Sequence, residues 1–197
     1  MDRLRSPGGC PWDAEQTHVS LAGYLIEEAH EAVEAIESGD SDALREELGD
    51  VLLQVVFHAR VAQESAEGWD IDGVARGIID KLVRRHPHVF ADVTVSGVHE
   101  VEANWDTIKQ AEKQRTSVTD GVPVALPALA RAAKLVGRAD KAGLSSAIPV
   151  DDSSFGSRLL ALAAEAQRAG VDPEAELRRA LADWLVDVRE EERERGA

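Results

Sequence analysis

Residues 51–59, VLLQVVFHA, constrain the fold of this chain more than any other segment. On a helix they cover nearly the whole circumference with apolar side chains, and a helix of that kind is buried on two sides. Ala, Leu, Glu and Arg are abundant while aromatic residues make up only 4% of the chain, which favours helices over sheets. We therefore predict an all-α fold, an antiparallel helical bundle in which the two-sided apolar helix indicates self-association.

Apolar periodicity and helix breakers divide the chain into two parts. In the first part the pattern predicts four helices, over residues 19–37, 42–66, 72–85 and 99–115. Loops are predicted over residues 1–15 and 88–98. Gly39 is predicted to end the first helix, and Asp40 or Ser41 to cap the second, so that a short connection makes the two helices antiparallel neighbours.

Two prolines and a glycine between residues 116 and 127 mark a domain boundary. We predict a first domain over 1–118, a linker over 119–127 and a smaller helical C-terminal region over 128–197. In that region a helix is predicted over 128–142, a loop over 143–157 and two helices after it.

The sequence GSRLL at 156–160 parallels GDVLL at 49–53. The C-terminal region is therefore either a degenerate second copy of the first domain or an amphipathic segment that is similar by chance. In a degenerate copy Ser157 stands where Asp50 stands in the first domain, and no acidic site remains. The C-terminal region would then act as a scaffold.

Ten acids and one base, Arg45, lie between residues 26 and 50. A charge run is commonly a solvated helix face, but a helical projection places two acid pairs beside the seam where the first two helices meet. These pairs are Glu28 with Glu31 and Glu47 with Asp50. Burying carboxylates without compensation is costly, and Arg45 alone cannot compensate them. An oxygen-only site of this kind suits Mg²⁺, with Mn²⁺ possible.

Gln54 and His58 continue the stripe of Glu47 and Asp50 along the second helix. His58 is either an orienting partner of the acids or a core histidine. A di-iron centre is disfavoured, because the Glu-x-x-His motif at Glu27–His30 faces away from the apolar side of its helix.

Basic residues are concentrated at the end of the third predicted helix, at Lys81, Arg84 and Arg85. Such a cluster either complements the helix dipole or binds phosphate. Trp105 and Lys109 are four residues apart and share a helix face. Trp105 either stacks on a nucleobase or packs in the core.

Charge and hydropathy exclude several classes of partner. The formal net charge of −15 argues against binding to a nucleic-acid polymer. No apolar segment approaches the roughly 20 residues of a membrane span, and no signal-peptide pattern follows Met1. Cys10 is the only cysteine, so an intramolecular disulfide is excluded. We therefore predict a cytoplasmic protein without a membrane partner.

The motif EExxE at 27–31, followed by ExxD at 47–50, resembles the signature of all-α nucleoside triphosphate pyrophosphohydrolases. Over about residues 1–115 the chain is similar to the MazG family in three strings, namely CPWDAEQTH, EELGDVLLQVVFHA and KLVRRHPHVF. This resemblance implies a homodimer whose subunits build the bundle together. It also implies Mg²⁺-dependent hydrolysis of nucleoside triphosphates to monophosphates and pyrophosphate, in house-cleaning of non-canonical nucleotides.

Matching residue by residue, the resemblance implies four catalytic metal ligands: Glu28, Glu31, Glu47 and Asp50. It implies phosphate contacts from Lys81, Arg84 and Arg85, and nucleotide contacts from Trp105 and Lys109. Glu27 would support the ligands or help to orient water. The alternative hypothesis is a catalytically weak nucleotide- or metal-binding regulatory module, and turnover with Mg²⁺ separates the two.

Overall fold

Ten helices account for the regular structure of residues 1–66, 68–113, 116–144 and 154–196, the part of the chain that the computed structural model describes. They are α1 Asp2–Arg5, α2 Pro11–Glu15, α3 His18–Ser38, α4 Ser41–Gln63, α5 Ile71–Arg85, α6 Pro87–Phe90, α7 Val98–Lys113, α8 Ala128–Lys141, α9 Phe155–Arg168 and α10 Pro173–Arg195. No strand occurs among these residues, so the predicted all-α class is confirmed. None of the described helices is both long and apolar enough to cross a membrane.

The α3–α4 hairpin follows from local capping signals. Thr17 begins α3 with a capping box, in which its side chain accepts from the N–H of Ser20 and the Ser20 hydroxyl accepts from the N–H of Thr17. Gly39 ends α3 in the left-handed region at φ 73°, which glycine adopts without steric cost. Asp40 then caps α4 by accepting from two backbone N–H groups of its first turn. The predicted short connection is therefore confirmed.

The structure corrects several predicted loops and helix ends. Pro11 and Pro87 each occupy the first position of a short helix, where a fixed φ favours helix and no N–H is needed, so α2 and α6 lie where loops were expected. The loop expected over 1–15 also contains α1. α4 ends at Gln63, three residues early, and the Ser65 hydroxyl donates to a carbonyl of its last turn at 2.7 Å. α9 begins inside the loop predicted over 143–157, because Ser154 caps it.

The chain divides into two compact units, residues 1–109 and 110–197. In the second unit α8 packs against α9 and α10. Gly137 of α8 lies against α9, where an added Cβ would be 2.7 Å from Gln167 Nε2. Asp140 and Arg168 join the same two helices in a 2.9 Å ion pair. The domain boundaries at 118 and 127, and the interpretation of 128–197 as a degenerate copy, remain predictions.

Arg5 connects the N-terminal segment to the end of α4 through side-chain hydrogen bonds. Its Nε and Nη2 donate to the two carboxylate oxygens of Glu64 at 3.1 and 2.6 Å. Its Nη1 donates to the backbone carbonyls of Asp13 and Gln16. The guanidinium also lies 5.5 Å from the centre of the Phe57 ring. Only 4% of the Arg5 side chain is exposed, whereas 35% of the Glu64 side chain is, so the guanidinium is the buried partner of this ion pair.

We expect Arg5→Ala to lower the free energy of unfolding by about 2 kcal/mol, because buried hydrogen bonds from a charged donor are lost. Arg3→Ala, an exposed change on the same short helix, is the control and should cost less than about 0.5 kcal/mol. The hydrogen bond from Arg5 holds the pKa of the Glu64 carboxyl below its usual value. The contribution of ionised Glu64 to folding stability is therefore fully present at pH values above the usual pKa, and it is lost as the pH falls through the lowered pKa. Urea unfolding at neutral and acid pH measures both effects. An equal loss in the two variants would contradict the role of Arg5.

Candidate metal centre and adjoining cavity

Three carboxylates from α3 and α4 meet in the first unit. Glu28 comes from α3, and Glu47 and Asp50 come from successive turns of α4; one oxygen of each lies within 4.8 Å of the others. The turn at Gly39 and Asp40 holds the helices antiparallel, which brings the acid of one helix opposite the acid pair of the other. Oxygen atoms at this spacing can share one hard divalent cation. Glu28, Glu47 and Asp50 are called the carboxylate group from here on.

The members of the carboxylate group repel one another. Partial burial raises the pKa of Glu28, and the charges of Asp50 and Glu31, with a hydrogen bond to Glu31, raise it further. Partial burial also raises the pKa of Glu47, followed by the charges of Glu31 and Asp50. Each shift disfavours the ionised form. At neutral pH the ionised group therefore destabilises the hairpin unless positive charge is bound to it.

The donor set fits a small divalent cation. All of its donors are carboxylate oxygens, which suit hard cations such as Mg²⁺ or Mn²⁺ better than zinc. The base of the acidic segment, Arg45, is paired with Asp42 at 3.2 Å. A doubly charged ion would remove the repulsion that raises the pKa values. The carboxylate group therefore supports a metal centre built from oxygen ligands.

The fourth predicted ligand, Glu31, borders the carboxylate group. It lies close enough to raise the pKa of Glu28, but its side chain is exposed and lies outside the 4.8 Å cluster. The helical projection gives Glu31 and Asp50 the same angle on their helices, so it does not predict that only Asp50 lies in the cluster. Glu27 and His30 are also exposed, which agrees with the disfavoured di-iron motif.

A pair of histidines continues the hairpin seam beyond the carboxylates. His18 Nδ1 and His58 Nδ1 lie 2.7 Å apart, and the two rings lie edge to edge in nearly one plane, with centres 5.0 Å apart and an interplanar angle of 3°. Trp69 adds a third, nearly parallel ring, 6.0 Å from His18 at 18°. Burial, and then the charge of His18, lowers the pKa of His58, so this ring is neutral at neutral pH. Nδ1 of His58 therefore bonds to another histidine and not to the acids.

Three polar atoms of α4 are buried without a protein hydrogen-bond partner among the described residues. Nε of Arg60 lies 3.2 Å from a carboxylate oxygen of Asp2 in an ion pair. The other two are Oε1 of Gln54, a residue only 5% exposed, and Nε2 of His58. An unsatisfied buried polar atom costs about 1–3 kcal/mol. The stripe that follows Asp50 along α4 therefore carries unused hydrogen-bonding capacity.

A cavity of about 460 Å³ opens beside the histidine pair. Two histidines, a tryptophan and three aliphatic residues line it: His18, Leu25, Val55, His58, Trp69 and Val74. Its volume lies within the range of about 300–1,000 Å³ that is usual for small-molecule sites. The lining is mostly apolar, and the polar side-chain atoms of these six residues are ring nitrogens.

The predicted basic cluster lies in the last turns of α5. Arg85 is buried, at 7% exposed, and its guanidinium carbon lies 6.0 Å from the centre of the Trp105 ring. The His86 ring also contacts Trp105, with centres 5.8 Å apart. The structure thus brings together Arg85 and Trp105. The remaining predicted contacts differ in exposure: Lys81 and Arg84 are exposed, and Lys109 is half-buried.

Sequence patterns did not single out His18 or Trp69. His18 precedes Leu25 by seven residues and so shares its helix face, a signal that was available. Trp69 lies in the loop before α5, and no periodicity predicts the path of a loop. Contacts of both residues join parts of the chain that are distant in sequence.

Known proteins are similar to this chain over most of its length. The family model for the MazG nucleotide pyrophosphohydrolase domain matches residues 16–90. An uncharacterized 26.1 kDa protein from the blaB 3' region of Streptomyces cacaoi is 53% identical, over 91% of this chain and 74% of that protein. The nucleoside triphosphate pyrophosphohydrolase of Escherichia coli strain K12 is 44% identical, over 94% of this chain and 72% of that protein.

A third relative is longer. The nucleoside triphosphate pyrophosphohydrolase of Mycobacterium tuberculosis is 43% identical, over 98% of this chain but only 56% of its own length. The chain therefore spans about three quarters of the first two relatives and about half of the third. The residues matched by the family model, 16–90, include the carboxylate group and the histidine pair.

Proposed function

The chain belongs to the MazG nucleotide pyrophosphohydrolase family, and we propose that it hydrolyses nucleoside triphosphates at the α-phosphorus, releasing nucleoside monophosphate and pyrophosphate. It is a hydrolase of the class that acts on acid anhydrides. The observation that carries the proposed chemistry is the carboxylate group, three mutually repelling acids within 4.8 Å on one helical hairpin.

Mg²⁺ is the proposed ion, with Mn²⁺ as a substitute, and Glu28, Glu47 and Asp50 would hold it. Glu31, whose charge helps to raise the pKa of Glu28, is the proposed fourth ligand. When bound, such an ion neutralises phosphate charge and lowers the pKa of a water molecule. In the proposed reaction the water oxygen attacks the α-phosphorus, the bond from that phosphorus to the bridging oxygen breaks, and pyrophosphate leaves.

The basic cluster of α5 is proposed to hold the departing pyrophosphate. Lys81 and Arg84 are exposed and long enough to follow a phosphate chain. Arg85 is buried against Trp105, so part of its role is to position that ring. Trp105 and Lys109 are the proposed nucleotide contacts on α7.

A homodimer is the proposed assembly. Leu48 and Leu52 lie four residues apart on one face of α4, and they are 53% and 59% exposed in the single chain. Leu53 beside them is 42% exposed. Exposed aliphatic side chains on successive turns of a helix are typical of a face that a partner covers. A second copy of the chain would supply that cover.

Clearance of non-canonical nucleotides in the cytoplasm is the proposed role. The formal net charge of −15 favours a small phosphorylated substrate that brings its own cation over a nucleic-acid polymer. The proposal names no base preference, since the carboxylate group meets only phosphate and cation.

We expect purified protein to convert mixed deoxynucleoside triphosphates to monophosphates and pyrophosphate with Mg²⁺ or Mn²⁺, and to lose the activity with chelator. In water labelled with heavy oxygen, the label should appear in the monophosphate, because the attack is at the α-phosphorus. Phosphorus NMR and mass spectrometry measure both. Diphosphate with orthophosphate as products would contradict the site of attack. Nucleotide binding without turnover would contradict the proposed enzymatic function and favour the alternative, a regulatory module that binds nucleotide.

A further inference from the structure

We propose that α10 pairs with the α10 of a second copy of this chain in an antiparallel coiled coil. α10 packs against α8 and α9, and the buried residue of α10 is Pro173, in its first turn. Residues 169–172 connect α9 to α10, and so short a connection makes the two helices antiparallel neighbours. α10 has 23 residues and α9 has 14, so α10 extends about 13 Å past the start of α9. The described residues of its own unit therefore leave one face of α10 exposed.

An apolar row runs along α10 and is called the α10 seam from here on. It consists of Leu177, Leu181, Trp184 and Val188. The steps of four, three and four residues are those of a coiled-coil seam. The first three side chains are 47%, 46% and 58% exposed, and the fourth is half-buried. Because a helix gains most of its stability from the packing of its apolar face, the α10 seam indicates a partner helix.

The residues that flank the α10 seam argue against a parallel pair. Counted from the seam, the e positions of the heptad fall on Arg178, Leu185 and Glu192, and Asp187 falls on a g position. In a parallel coiled coil a g side chain meets the e side chain five residues further along the partner helix. Asp187 would then face the partner's Glu192 on both sides of the pair. Like charges in this arrangement repel, so two parallel copies are disfavoured.

The same residues favour an antiparallel pair. When the helices run in opposite directions, e positions meet e positions. Arg178 then meets the partner's Glu192 at each end of the seam, and the two Leu185 side chains meet between these ion pairs. The seam forms four apolar layers from two contacts that each occur twice, Leu177 with the partner's Val188 and Leu181 with the partner's Trp184. The sequence of α10 is therefore complementary to itself in the reversed direction, and a second copy is its partner.

The α10 seam is a different surface from the exposed face of α4 at Leu48 and Leu52. The two surfaces lie on different helices, one in each compact unit. Each would form a two-fold interface, in which the same residues of both copies take part. A chain that uses both surfaces joins two other copies, and the assembly is then a tetramer of two-fold symmetry.

The first test places a charge in the α10 seam. Leu181→Glu introduces a carboxylate at the seam, and Ala182→Glu introduces it at the next residue, which is exposed and outside the seam. We expect sedimentation velocity of the full chain to show a tetramer for the parent and for Ala182→Glu. Leu181→Glu should weaken the α10 interface by more than about a hundredfold and leave a dimer, because the buried charge occurs twice. Leu52→Asp combined with Leu181→Glu should be a monomer.

The second test determines the direction of the pair from exchanged charges. Arg178→Glu alone and Glu192→Arg alone should each weaken the α10 interface about fivefold, because two ion pairs become repulsive. The double variant Arg178→Glu/Glu192→Arg should restore the parent's association. In a parallel pair Glu192→Arg would instead strengthen association, because it turns the repulsion from Asp187 into attraction.

The outcomes separate the second copy from other occupants of the face. If Leu181→Glu and the parent have the same assembly state, the α10 interface is wrong. A lower melting temperature of Leu181→Glu without a change of assembly would show that the seam packs within one chain, which also overturns the proposal. Strengthening by Glu192→Arg, or no recovery in the double variant, would overturn the antiparallel direction. None of these measurements depends on nucleotide turnover, so they decide the α10 interface whether or not the proposed hydrolysis is observed.

Discussion

Glu47→Gln is expected to reduce nucleoside triphosphate turnover about a thousandfold while the helices remain folded. The amide keeps the size of the side chain but removes one of the three charged oxygen ligands within 4.8 Å. In the cation-free protein the variant should be more stable than the parent, because the raised pKa of Glu47 shows that its charge is unfavourable there. Steady-state kinetics with Mg²⁺, and thermal unfolding followed by circular dichroism, measure the two effects.

Glu46→Gln is the matched control. It makes the same change of charge one residue away, on an exposed side chain outside the carboxylate group. We expect its turnover to stay within about twofold of the parent, as for other surface changes. Addition of Mg²⁺ should raise the melting temperature of the parent and of Glu46→Gln but not of Glu47→Gln. Turnover of Glu47→Gln above half that of the parent would place the chemistry elsewhere.

Leu52→Asp is expected to weaken self-association by more than about a hundredfold, since a charge buried in an apolar interface costs several kcal/mol and a two-fold interface contains it twice. Leu52 is 59% exposed in the single chain and shares a face of α4 with Leu48. Sedimentation velocity over a range of concentrations measures the assembly state. Turnover measured on the same samples shows whether the site needs the second copy.

Val124→Asp provides the comparison for this second variant. Val124 is 80% exposed and lies in a loop of the second unit that is not part of α4, so the same charge should leave assembly unchanged. If Leu52→Asp and the parent sediment alike, or if the parent is a monomer, the proposed homodimer is wrong. The chain would then leave the apolar face of α4 open to another partner.

Features that depend on neighbouring residues could be predicted from the sequence. Gly39 and Asp40 act on the backbone next to them, so the hairpin turn was predictable. Glu28, Glu47 and Asp50 came together because helical periodicity fixes which side chains flank a seam. The structure leaves Glu31 at the border of that group, a difference that the projection does not predict because it treats Glu31 and Asp50 alike.

Features that join distant segments could not be predicted in this way. Arg5 meets Glu64 across 59 residues, and His18 meets His58 across 40. Neither pairing has a periodic signal, because each depends on how short elements and loops pack onto α4. The helices that begin at Pro11 and Pro87 were not predicted, because proline occurs both after the end of a helix and at the first position of the next one.

The hairpin also bears on how the protein folds. The carboxylate group and the histidine pair lie within residues 18–63, on two helices joined by a tight turn. Closing so short a connection costs little chain entropy, and contacts that are local in sequence form early. During synthesis this hairpin emerges before the second unit does. The catalytic geometry can therefore be established while the rest of the chain is still unfolded.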